Sequence, residues 1–283
     1  MQRERVTEDI YVFTSDLYAS VTAGLIVTDD GAALIDTLVP EETRLIKRFV
    51  EDRLGLNVRY VVNTHFHADH STGTYLFPEA QVIGHRKCRD LLERRGRDSL
   101  EQMKEGSVDL QDIELVLPDV VFDTSLTLHL GGKTLQLWST PGHSPDSIVC
   151  LVEEDQTLFA ADTLMPIPFF VDGDYHDLLK SLRGLQTRSY ETIIQGHGEV
   201  ILRGEVRDKL QSDIDYLVKL GDAIDLAIQN QTGKISFDSI KIEKCGKSRI
   251  ALNGMAEQLH QQNVRWLIDR WSVEHSVEFP QEA

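Results

Sequence analysis

Much of the chain before residue 200 alternates short apolar runs with turn residues. Ile10-Tyr11-Val12-Phe13 and Val21 to Val27 read as strands, Asp29-Asp30-Gly31 marks a tight turn, and Ala32-Ala33-Leu34-Ile35 returns as the partner. Pro40 with Glu41 and Glu42 opens a helix, acids at its positive end, that reaches about Leu54 and stops at Gly55. Val58 to Asn63 has the density of a buried strand. Residues 86–106 are charged and helical, and 107–118 are acidic and irregular up to Pro118. The stretch 95–118 reads as a solvated helix and loop, with a lid over a site as the competing reading. Strands resume from Val120 to Val152, with a hairpin turn at Gly131-Gly132, and Asp174 caps a helix through Leu185.

After residue 200 the period changes. Val206, Leu210, Ile214, Leu217, Gly221, Ile224 and Ile228 recur at helical spacing. Gln229 to Lys247 is polar and turn-rich, and a second helix is expected from Asn253 to Trp271, with Met255, Leu259, Trp266 and Ile268 on its apolar side. The division that follows is a catalytic unit over 1–203 and a helical extension over 204–283. The extension is expected to pack on the core or form a homodimer surface, ahead of a role as a cap.

Composition narrows the setting. No apolar run approaches the roughly 18–20 residues of a membrane span, so no membrane partner is expected. The charged N-terminus shows no secretory pattern, and Cys88, Cys150 and Cys245 are too scattered for a disulfide framework; a cytoplasmic location fits both. The net charge of −17 opposes nucleic-acid binding and leaves a small molecule as the expected partner.

The chemistry concentrates where strands end. Directly after Val58–Asn63 comes His65-Phe66-His67-Ala68-Asp69-His70, four metal-competent side chains in one short run. His143 follows Thr134–Trp138 within Thr140-Pro141-Gly142-His143-Ser144; Asp162 closes Thr157-Leu158-Phe159; His197 closes Thr192-Ile193-Ile194. Imidazole and carboxylate without thiolate suit Zn²⁺ and admit Fe or Mn. Five of the ten histidines fall in these motifs. His85, His129, His176, His260 and His275 lie outside them, and of these only His85 is placed to reach the site.

An H-x-H-x-D-H run followed by a lone His, a lone Asp and a final His, with Leu34-Ile35-Asp36-Thr37 closing an early strand, resembles the metallo-β-lactamase-fold hydrolases over about residues 20 to 200. The resemblance implies an α/β fold, a four-layer αβ/βα sandwich, here with a helical C-terminal extension. It implies that His65, His67 and His143 hold one metal, that Asp69, His70 and His197 hold a second, that Asp162 bridges them and that Asp36 braces the ligand loop. Two Zn²⁺ ions are expected, with Fe or Mn admitted, and Asp69 is the expected catalytic acid–base. The implied activity is hydrolysis of a carboxylic ester, thioester or lactone by metal-activated water. The alternatives are a β-lactamase-like amide hydrolase and an iron-dependent redox enzyme of dioxygenase or flavodiiron type. Asp162 speaks against the β-lactamases that resemble this pattern, which lack a bridging Asp. Met165 stands where quorum-sensing lactonases carry Tyr, and the intact second ligand set exceeds what persulfide dioxygenases need. Met165, Ile167, Phe169 and Phe170, just beyond Asp162, are expected to line an apolar substrate pocket.

Overall fold

The computed structural model describes residues 1–106, 110–229 and 240–274. One sheet has seven strands in sequence order: β1 (Gln2–Arg5), β2 (Ile10–Thr14), β3 (Thr22–Thr28), β4 (Gly31–Ile35), β5 (Val58–Asn63), β6 (Gln81–His85) and β7 (Val120–Phe122). The second has six, running from β13 (Val200–Leu202) through β12 (Thr192–Gln195), β11 (Thr157–Ala161), β10 (Ile148–Val152) and β9 (Lys133–Ser139) to β8 (Ser125–Leu130). The strands between Val120 and Val152 are therefore divided: β7 pairs in parallel with β6 in the first sheet, and the chain changes sheet before β8. β1 carries no hydrophobic signal because all four of its residues are exposed; it is an edge strand held by pairing with β2.

Alternation along the strands builds the layers. In β10, Ile148, Cys150 and Val152 face inward and meet Ile26, Ala33, Ile35, Val62 and Ile83 of the opposite sheet. Val149 and Leu151 face outward against helices. Both faces of each sheet are covered, so the strands read as nearly continuous apolar runs rather than clean alternations. The first sheet is covered by α1 (Pro40–Arg48), through Ile46 packed with Leu25, Leu34 and Val61. Helices α2 (Ala68–Ser71), α3 (Arg86–Leu91) and α4 (Arg97–Gly106) follow in the chain, and α5 (Tyr175–Leu185), α6 (Arg203–Gln229) and α7 (Met255–Glu274) cover the second sheet. The result is a four-layer αβ/βα sandwich.

The C-terminal extension shares a core with the second sheet: Leu217, Ile224, Leu267 and Ile268 belong to the same buried cluster as Leu158 and Ile193. Asn263 of α7 reaches further. Its amide Nδ2 donates to Pro168 O at 2.8 Å and to the Tyr216 hydroxyl at 3.1 Å, and its Oδ1 accepts from Phe170 N at 3.4 Å. The segment following Asp162 is thereby fastened to the extension. Within the polar stretch 229–247, residues 230–239 lie outside the described residues, as do 107–109 of the 95–118 stretch and His275. Among the described residues no helix is long and apolar enough to cross a membrane.

At one end of the sandwich the two sheets are joined directly. Thr22 N donates to Gly196 O at 2.8 Å, Gly198 N to Ser20 O at 2.8 Å, and Ile148 N to Thr64 O at 3.0 Å. That seam holds the strand ends that carry the histidines.

Candidate metal centre

Two groups of side chains converge there: His65, His67, His143 and Asp162 in one, Asp69, His70 and His197 in the other, with one ligand atom from each residue within 4.8 Å of the rest of its group. Strand β5 delivers His65 and His67, and a short helix over Ala68–Ser71 carries Asp69 and His70. The turns after β9, β11 and β12 deliver His143, Asp162 and His197.

Sharp turns make these deliveries. Gly142 has φ 143°, and a Cβ there would fall 2.2 Å from Leu178 Cα, so only glycine fits beside His143. Gly196 runs so close to the site that a Cβ on it would lie 1.8 Å from Asp162 Oδ1. Asp36 at φ 58° and Ala161 at φ 44° sit in the left-handed region next to the ligands. Asp tolerates that conformation through local hydrogen bonding, whereas Ala161 carries strain of order 1–3 kcal/mol that the seam around it sustains.

The hydrogen bonds of the five imidazoles define their inner faces. Thr64 Oγ1 donates to Asp36 Oδ2 at 2.7 Å, so at 3.1 Å it accepts from His65 Nδ1. His70 Nδ1 donates to Asp36 Oδ2 at 2.8 Å, His143 Nδ1 to Phe169 O at 2.9 Å, and His197 Nδ1 to Ala19 O at 3.0 Å. His67 is turned the other way, its Nε2 facing Asp172 Oδ2 at 3.0 Å. Each ring has its outer nitrogen committed to an acceptor, which leaves the inner nitrogen free as a metal ligand.

The inner atoms crowd one another. His67 Nδ1 stands 3.0 Å from His65 Nε2 and 2.9 Å from His143 Nε2. Burial, and then the neighbouring histidines His70 and His67, hold His65 well below the usual imidazole range, and burial pushes His143 down to about 4. With their outer nitrogens given to acceptors, His65 and His143 turn lone pairs toward that gap, which suits it to a cation. In the second group burial opposes charge, but Asp162, Asp69 and Asp36 outweigh it and hold His70 well above its ordinary value; His197 is raised against its own burial, chiefly by Asp162.

Asp162 lies between the groups. Its Oδ2 is 3.3 Å from His143 Nε2, 3.4 Å from His197 Nε2 and 3.7 Å from His65 Nε2, and its Oδ1 is 3.3 Å from His70 Nε2. Burial works against its charge, yet His197, His70 and His143 hold the carboxyl well below the usual range. Asp162 Oδ1 and His70 Nε2 are both buried, and at 3.3 Å from each other neither makes a well-formed hydrogen bond to any group. Buried polar atoms are seldom left so, and here both face the cluster. The imidazole and carboxylate donors of both groups fit metal binding.

The cleft above the cluster has a volume of about 320 Å³. Met165 and Phe169 line it, but Ile167 and Phe170 do not: both are fully buried in the core under α7. The segment is neither strand nor helix, so no period indicates which of its side chains face the cleft. Leu252, Met255 and Leu259 of the C-terminal extension line it too, so the extension both packs on the core and borders the cleft. Tyr18 stands at the rim, its phenol raised by burial and by the Asp69 and Asp162 charges. His85 is remote from this chemistry; its Nδ1 accepts from Lys87 N at 3.0 Å as a helix cap, and its Nε2 donates to Asp123 O at 2.8 Å. Thr64, Asp172 and the carbonyls of Ala19 and Phe169 carry no sequence signal of their own, since they act on the ligands only through tertiary approach.

The Metallo-beta-lactamase superfamily profile matches residues 19–204, and the chain belongs to that superfamily. It is 24% identical over 252 residues to a Beta-lactamase-like protein 2 homolog of Caenorhabditis elegans, covering 83% of this chain and 79% of that protein. It is 30% identical over 193 residues to a hydroxyacylglutathione hydrolase of Haemophilus influenzae, covering 64% and 87%. A metallo-beta-lactamase from Pontibacter korlensis shares the fold at a TM-score of 0.62 and 20% identity, over 74% of this chain and 98% of that one.

Proposed function

We propose that the protein is a binuclear metal-dependent hydrolase, with zinc as its metal and a carboxylic ester, thioester or lactone as its substrate. The observation that carries this reading is the position of the Asp162 carboxylate between two complete ligand groups. Two divalent cations against two aspartates leave a centre with net positive charge, suited to an anionic transition state. Ions held there would lower the pKa of water to about 7 and polarise a substrate carbonyl.

The chain's own residues supply orientation and proton handling. Asp69 Oδ2 lies 3.5 Å from His197 Nε2 and 3.8 Å from His70 Nε2, and the residue borders the cleft, so it can both hold an ion and take a proton from the attacking water. Asp36, buried beneath the loop, only holds Thr64 and His70 in place. Tyr18, whose raised pKa keeps it protonated, offers a donor at the rim. Apolar walls from Met165, Phe169 and the extension favour a substrate with an apolar acyl or ring group. The acylglutathione named in the Haemophilus influenzae relative is a thioester, which supports that substrate class.

The test is a panel of ester, thioester, lactone and β-lactam substrates with metal-depleted protein before and after zinc is restored. Turnover of one of the first three, dependent on zinc, is the expected result. Zinc-independent turnover, or preference for the β-lactam, would remove the reading; iron in the purified protein together with oxygen uptake would replace it with a redox one.

A further inference from the structure

A second hollow adjoins the cleft, with a volume of about 180 Å³. His67 and Ala68 border both. Its walls are Leu92, Leu100, Ile113 and Leu115, with Phe66 of the ligand run beside them. Leu92, Leu100 and Ile113 are buried, and the charged side chains on its border, Arg95 and Glu114, are exposed. The stretch read from sequence as a solvated helix and loop thus lends apolar side chains to a hollow that shares His67 and Ala68 with the cleft.

We propose that the two hollows form one substrate site, in which the carbonyl lies over the metal ligands and an aliphatic acyl chain passes His67 and Ala68 into the second hollow. This rests on the hydrolase reading for the carbonyl end only; the affinity of the hollow for an apolar chain does not depend on it. An apolar cavity of about 150 Å³ accepts a benzene-sized guest, so this one takes roughly six carbons beyond the junction. Polar acyl groups are disfavoured there, because the buried wall is mostly aliphatic and its Ser71 and Thr72 hydroxyls already donate to the carbonyls of His67 and Ala68. The selected substrates are therefore medium-chain acyl esters or thioesters, in preference to acetyl ones.

Gly96 supplies the means of testing this. A Cβ on it would approach Leu115 Cδ1 at 3.2 Å and Leu92 Cδ2 at 3.3 Å, both ends of flexible side chains, so Gly96→Leu should fill the hollow. The probe is octanoate, titrated into the metal-depleted full chain carrying labelled isoleucine and leucine methyl groups and followed by NMR, with acetate as the control. Octanoate should shift the Ile113 methyl and acetate should not, and Gly96→Leu should weaken octanoate binding by about 10-fold or more, the effect of denying a pocket to two or more methylenes. With zinc restored, the octanoyl-to-acetyl ratio of kcat/KM for p-nitrophenyl esters should fall in the variant by a similar factor. If Gly96→Leu does not fold, Leu100→Ala should instead move the chain-length optimum upward. Octanoate that leaves Ile113 unshifted in the wild type overturns the proposal, as does binding that survives in folded Gly96→Leu. Octanoate binding at Ile113 without any zinc-dependent esterase activity would support the acyl pocket and remove the hydrolase reading.

Discussion

His67 and Asp172 lie 105 residues apart in sequence, and their Nε2 and Oδ2 atoms stand 3.0 Å apart beside the metal centre. Among the five clustered histidines His67 is the one turned to present Nδ1 inward, and Asp172 is the group that holds it so. The hydrogen bond from His67, more than the partial burial that opposes it, lowers the Asp172 carboxyl below its ordinary value. Asp172→Asn removes that charge while keeping the size. Zinc affinity measured by chelator competition should fall by about 10–100-fold, the usual scale for a group that orients a ligand. An unchanged affinity would reduce Asp172 to a bystander.

Metal loading should release protons. In the metal-free protein His70 and His197 are raised above the usual imidazole range despite their burial, chiefly by Asp162, so each carries a larger share of bound proton than a free histidine does. A metal ion takes the nitrogen lone pair and displaces each proton. Apparent affinity must therefore rise with pH until both rings are neutral, and fall as pH drops below their raised values. Calorimetry at neutral pH in buffers of different ionisation enthalpy should show net proton release on zinc binding. Buffer-independent heats would contradict this.

Asn263 ties the extension to the ligand loop, and its loss should be felt twice. Asn263→Leu leaves Pro168 O and Phe170 N without their buried partner, at a cost of about 1–3 kcal/mol for a stranded group. For a chain of this size each kcal/mol lowers Tm by about 2–4 °C. Because Phe169 O, between those two atoms, orients His143, zinc affinity should weaken as well. A variant with lowered Tm and wild-type zinc affinity would show that the extension stabilises the fold without supporting the site.

Asp69 and Asp36 separate catalysis from bracing. Asp69→Asn retains an oxygen ligand but loses basicity, and should lower kcat by about 100-fold or more. Asp36→Asn should act through metal affinity, by about 10–100-fold. Excess zinc should rescue the Asp36 variant and leave the Asp69 variant impaired. Equal rescue would make Asp69 a ligand only.

The convergence of these histidines and aspartates was legible because each sits where a recognisable strand meets a turn, and the H-x-H-x-D-H run is specific. The fold followed from the same motifs, supported by the strand and helix periods. What the periods could not convey was partnership. Helical spacing in Val206–Ile228 shows that one face is buried but not against what, so the sequence ranked packing or dimerisation ahead of a cap, while Leu252, Met255 and Leu259 of the extension line the cleft. Val120–Phe122 and Ser125–Leu130 look alike in sequence yet belong to different sheets. Residues such as Thr64 and Asp172 matter through a single tertiary contact, which leaves no periodic trace.

The central claim is that two metal ions share Asp162. Its most direct test is the metal content per chain, by elemental analysis after zinc reconstitution and removal of excess ion, in the wild type and in Asp162→Ala. Without the bridging carboxylate, two cations held roughly 3.5–4 Å apart would repel. Two zinc ions per wild-type chain and fewer than two in the variant are expected, with hydrolysis lost in parallel. One ion in the wild type, or two retained in Asp162→Ala, would contradict it.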